Sequence, residues 1–154
     1  MLRRGTVSRR PHGGFTMLEV LVSLLVFSFG VLGLIGLQGA AIRYGTDAQQ
    51  RADATFLADQ LLGRMLISDP STMGTFAHQA SGTIPCAPTG TAATSAVVTD
   101  WLAEVAAVLP NAASSKQQVV VDSTTGQVTV RLCWRNGPND STHQLAVSNQ
   151  VQWQ

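Results

Sequence analysis

With 154 residues the chain has room for one domain of modest size and not for two. Charged residues make up 12% of it, about half the usual share. A formal charge of +1 does not suggest binding to nucleic acid.

What charge there is sits unevenly. Arg3, Arg4, Arg9 and Arg10 crowd the first 14 residues, and past them six basic residues face nine acidic ones, a net of −3. Val20 to Ile42 is then a run of 23 residues with no formal charge and no proline, closed by Arg43. A helix needs about 20 such residues to cross a bilayer. Basic residues beside a spanning segment stay in the cytoplasm, so the N-terminus is expected inside and the remainder across the membrane. A cleavable secretory signal is the alternative, with Gly39-Ala40-Ala41 imitating its cut site. Its apolar region is usually only about 7–15 residues long.

Two features of the run stand out. Gly30, Gly33, Gly36 and Gly39 recur every three residues. In water each costs a helix about 1 kcal/mol relative to alanine. In lipid such small residues let helices approach closely. The other feature is Glu19, a lone acid ahead of the apolar stretch. It reads either as an acid tolerated at the interface or as a group that meets a positive partner once the helix leaves lipid.

The helix is predicted to continue to Ser68. Leu57, Ala58, Leu61, Leu62, Met65 and Leu66 follow the spacing of one buried face. Asp69-Pro70 stops it, because proline disfavours helix in the residue before it. Phe15 to Ser68 would make about 80 Å of helix if unbroken.

Residues 69–98 read as a loop-dominated connection with a short strand at Ala96-Val97-Val98. "TDWLAEVAAVLP" predicts a short helix with Asp100 as its N-cap, Glu104 in its first turns and Pro110 at its end. Trp101, Val105 and Val108 share its expected core face. "QQVVVD", "QVTVRLCW" and a last segment up to Trp153 alternate apolar and polar residues, with turns at "STTG" and "RNGPND". Val128, Val130, Leu132 and Trp134 take one face of the middle segment, and Leu145, Val147, Val151 and Trp153 one face of the last. The expectation is a three-stranded antiparallel meander packed on the long helix, with the other face polar. The fold class is therefore α+β.

Cys86 and Cys133 both fall in the exported part. An even count in an oxidising compartment favours a disulfide over two buried thiols. It would be worth roughly 4 kcal/mol in the chain-entropy picture. Parity puts Cys133 on the polar face, so the bond would draw the 69–98 connection across the sheet's outer face or edge. The residue pattern holds no catalytic or cofactor motif. His12, His78 and His143 are isolated, no pair has metal-ligand spacing, and no phosphate loop is present.

"GGFTMLEVLVSLLVFSFGVLGLIGLQ" resembles the N-terminal signature of type IV pilins and pseudopilins. The resemblance implies that residues 1–14 are a basic leader and that prepilin peptidase cuts between Gly14 and Phe15. The same enzyme would methylate the Phe15 amine, and Glu19 would become the glutamate at the fifth mature position. In an assembled filament that glutamate would neutralise the N-terminal amine of an adjacent subunit and set axial register. The implied layout is a transmembrane and filament-core helix over 15–42, an amphipathic continuation over 43–68 and a periplasmic or extracellular head over 69–154. "GVLGLIGLQ", with Gly36 where many major pilins carry a proline, resembles the minor pilins. So does the order of "DWLAEVAAVLPN" before "GQVTVRLCWRN", which is similar to the PilV-like group of pilus modification proteins. The expected function is that of a minor pilin in pilus assembly, motility and adhesion. Its partners would be prepilin peptidase, other pilus subunits and the inner membrane, with no cofactor, nucleic acid or small-molecule substrate. A type II secretion pseudopilin and an ordinary membrane-anchored binding domain remain the alternatives.

Overall fold

The computed structural model describes residues 14–151. The predicted leader arginines, His12 and Trp153 lie outside that range. By internal contacts the chain divides into two units, Met1–Tyr44 and Gly45–Gln154.

In the first unit the described residues are almost wholly helical. Helix α1, Met17–Leu66, begins here and continues into the second unit. Among the described apolar side chains of this stretch, Leu18, Phe27, Phe29 and Leu37 are all exposed. The polar groups of this stretch are looked after locally. Ser23 Oγ and Ser28 Oγ each donate to the carbonyl four residues back, Glu19 O and Leu24 O, at 2.7 Å. That bonding lets a serine sit in an apolar helix without an unsatisfied hydroxyl. A Cβ added at Gly30, Gly33, Gly36 or Gly39 would meet nothing within 4 Å.

The second unit holds the core. From α1 it takes Ala54, Leu57, Ala58, Leu61, Leu62 and Met65. Leu66, expected on the same face, is 53% exposed. It lies a further 100° around the helix from Met65, and the helix ends there. The helix thus ends two residues short of the expected Ser68, and the Asp69 side chain starts a new element. Asp69 Oδ1 accepts from Ser71 N at 2.8 Å and Ser71 Oγ at 2.7 Å, capping a 3₁₀ turn over Pro70–Phe76. That turn buries Met73 and Phe76, in a stretch that composition marks as loop.

Helix α2 spans Ala96–Val108. The strand expected at Ala96–Val98 is instead its first turn, and Ser95 rather than Asp100 is the N-cap residue. Val98, Trp101, Leu102 and Val105 are all buried, an i, i+3, i+4, i+7 stripe that a three-residue window cannot reveal. Glu104 accordingly sits in mid-helix. Val108 is 47% exposed, and the extended C-cap residue Leu109 turns into the core in its place.

The sheet is the predicted meander. β1 (Gln118–Asp122), β2 (Gln127–Trp134) and β3 (His143–Gln150) pair antiparallel in the order β1-β2-β3. Val119, Val128, Val130, Leu132 and Trp134 turn inward to the helices, joined by half-buried Val121, Leu145 and Val147. Val151 is buried just past β3. Two tryptophans tie the layers together. Trp101 Nε1 donates to Leu57 O at 2.8 Å, and Trp134 Nε1 to Gln50 Oε1 at 3.0 Å. Each buried indole N–H thus has an acceptor on α1.

Candidate functional site

Two places gather the residues singled out by sequence: the start of α1 and the outer face of the sheet.

At the start of α1, Gly14, Phe15 and Thr16 precede the helix without regular structure. Phe15 is 84% exposed. Thr16 is the helix N-cap: its Oγ1 accepts from Glu19 N at 3.3 Å, and its carbonyl accepts from Glu19 N and Val20 N. Thr16-Met17-Leu18-Glu19 is thus the Thr-x-x-Glu spacing of a capping box, with the threonine half formed. The cap was legible in the spacing, yet attention to the acid alone misses it. Glu19 also lies in the first turn, where the helix dipole favours an anion. A fixed helix start therefore separates two halves of the site. Gly14 and Phe15 are outside the helix and exposed, while Glu19 is held on its first turn.

On the sheet, Cys86 and Cys133 form a disulfide with S–S 2.01 Å and Cα–Cα 5.6 Å, across 47 positions of sequence. Cys133 has the predicted outer-face parity, yet it is only 1% exposed. The connection carrying Cys86 explains this, because it is strapped across that face. Gln118 Nε2 donates to the carbonyls of Gln79, Ser81 and Gly82 at 3.0, 3.0 and 3.2 Å, and Arg131 Nη1 donates to Gln118 Oε1 at 2.6 Å. The strap closes on itself through paired backbone bonds between Ser81 and Thr89. Gly90, at φ +117, permits the return, and a Cβ there would press on Ala80 N and Ser81 N at 3.2 Å.

His78, isolated in sequence, anchors the strap. It is buried, and its backbone pairs with Val119 on the edge of β1. Ala93 N donates to its Nδ1 at 3.1 Å, so Nδ1 is the acceptor, and Nε2 stands 2.9 Å from Ser114 O as the donor. The ring is therefore a neutral cross-link among three segments. His143 lies elsewhere, stacked on Trp134 with ring centroids 5.7 Å apart. Among the described residues no three His, Cys, Asp or Glu side chains gather as a metal-binding group.

Comparison with known proteins bears on the first place. Residues 9–35 match the prokaryotic N-terminal methylation motif. That stretch contains Gly14, Phe15 and Glu19. The match supports the type IV pilin or pseudopilin class, and with it processing by prepilin peptidase and assembly into a pilus or pseudopilus. Together with the apolar helix it supports membrane anchoring. No curated protein and no solved structure matches the chain.

Proposed function

We propose that the chain is a minor pilin of a type IV pilus, of the PilV-like kind, made as a membrane-anchored precursor. Prepilin peptidase cuts the leader, residues 1–14, after Gly14 and methylates the Phe15 amine. Residues 15–42 then hold the protein in the inner membrane, N-terminus inside, until they pass into the filament. Residues 43–68 continue the helix, and residues 69–154 present the head to other pilus subunits. Glu19 receives the N-terminal amine of a neighbour and sets register.

The observation that carries this reading is the methylation-motif match over residues 9–35. Two features support it. The cut point is exposed ahead of a capped helix. The large apolar side chains that follow are exposed, as befits a helix that exchanges lipid for other helices. The choice of a minor pilin rests on Gly36 and on the tail order, which α2 and β2 now occupy.

The test is an intact mass and N-terminal sequence of the membrane-extracted protein, with and without active prepilin peptidase. A methylated Phe15 start that disappears without the peptidase supports the reading. A start near residue 42, or an intact leader in both strains, refutes it. A deletion strain that keeps its pili and loses an exported enzyme would assign the chain to a secretion pseudopilus instead.

A further inference from the structure

The sheet has two outer edges, and they are treated differently. On β1, His78 and Val119 exchange both backbone bonds, at 3.0 and 2.9 Å. On β3, no described segment pairs with the outer side. Edge strands are ordinarily blunted by charge, proline, a bulge or brevity. β3 runs eight residues with no Lys, Arg, Asp, Glu or Pro, in unbroken register with β2.

Ladder parity identifies the bare groups. Val151 N donates to Gly126 O at 2.8 Å, one step past the β2–β3 register. Residues of that parity, Leu145, Val147 and Asn149, therefore bond to β2. Gln144, Ala146 and Ser148 aim their N–H and C=O groups away from it. Gln150 has the same parity, but its N–H is taken by Asn149 Oδ1 at 2.8 Å, which ends the usable edge. Beside this edge Leu145 and Val147 pack on the core yet remain only half-buried.

We infer that this edge pairs with itself: β3 of one chain lies antiparallel to β3 of a second copy, about a two-fold axis at Ala146. A row of alternating donors and acceptors is matched by another extended backbone. The choice of a second copy comes from the register. With Ala146 on the axis, all three outward residues pair, and Gln144 faces Ser148 of the second copy. On the inner face Leu145 then falls opposite Val147 of the second copy, so each completes the cover the other lacks. The small Ala146 side chains meet on the axis. A charge at Leu145, Ala146 or Val147 would face its own kind or an apolar group, and β3 carries none. The pairing is isologous and closes as a dimer. It does not depend on the proposed function.

The test uses the full-length chain in detergent, followed by sedimentation and by amide exchange at Ala146 and Ser148. The native chain should self-associate, with both amides slowing as concentration rises. Ser148→Pro removes an outward N–H and no ladder bond, so the fold should persist while association weakens roughly tenfold or more. Ala146→Lys and Ala146→Asp should each be monomeric, and an equal mixture of the two should pair. Self-association unchanged by Ser148→Pro would belong to the apolar helix and would overturn the inference. So would edge amides whose exchange ignores concentration, or a Lys/Asp mixture that stays monomeric.

Discussion

The side-chain amide of Gln117 takes the place of a missing strand residue opposite Cys133. Its Nε2 donates to Cys133 O at 2.9 Å, and Cys133 N donates to its Oε1 at 2.8 Å. The β1–β2 ladder ends at Gln118–Arg131, so the backbone of Cys133 has no strand partner on that side. A fully buried glutamine completes the ladder with its side chain.

Replacing it exposes how much that pairing is worth. Gln117→Leu fills the space but leaves two buried backbone groups unpaired. The expected loss is about 3 kcal/mol of stability, read as a lower denaturant midpoint with an unchanged slope. A loss below about 0.5 kcal/mol would show that water reaches Cys133.

The disulfide beside it makes a second prediction. Cys86→Ala with Cys133→Ala should cost roughly 2–5 kcal/mol. Gln118 and His78 still tie the strap, so the double variant should fold, with faster amide exchange over 79–90 than over the sheet. Equal exchange in both regions would mean that the disulfide does not organise the strap.

Trp101 predicts a third effect. Trp101→Phe removes an indole N–H from Leu57 O and leaves a gap in the buried core. The expected cost is about 2 kcal/mol by chemical denaturation. The α1–α2 contact through Arg64 and Glu104, 3.5 Å apart and partly exposed, should matter far less.

Acid should loosen the β1–β2 turn. Asp122 accepts from Thr125 Oγ1, Thr124 N and Thr125 N, and these bonds hold its carboxyl below the ordinary value of 3.8. Ionisation is thus favoured in the fold. The stabilisation is complete above the unfolded value and disappears as pH falls through the lower folded one. Asp122→Ala should therefore be less stable than the native chain at neutral pH, and the two should converge below about pH 4. A gap that persists unchanged at low pH would rule out the carboxylate as its source.

At the other end of the chain, Glu19→Ala should leave membrane insertion intact and lower recovery in sheared filaments. Glu19→Gln keeps the shape and removes the charge, so it should share the defect if charge pairing sets register. Normal recovery of both would remove Glu19 from assembly.

Much of this protein was legible in its residues. The extent of α1 follows to within two residues at each end from an unbroken apolar run and from Asp69-Pro70, since covalent rules of proline and lipid-length runs act locally. The meander follows from period-two alternation, and Cys133's parity with it. What tertiary structure alone decided were the places where distant segments meet. Ala96–Val98 joined a helix because Trp101 and Val105 extend their stripe into a shared core. Met73 and Phe76 were drawn inward from a polar stretch. Cys133 and Gln118 became buried because the strap covers a face that alternation marks as solvent-exposed. Periodicity reports which side of an element a residue occupies. What comes to cover that side depends on residues tens of positions away, and only the folded chain settles it.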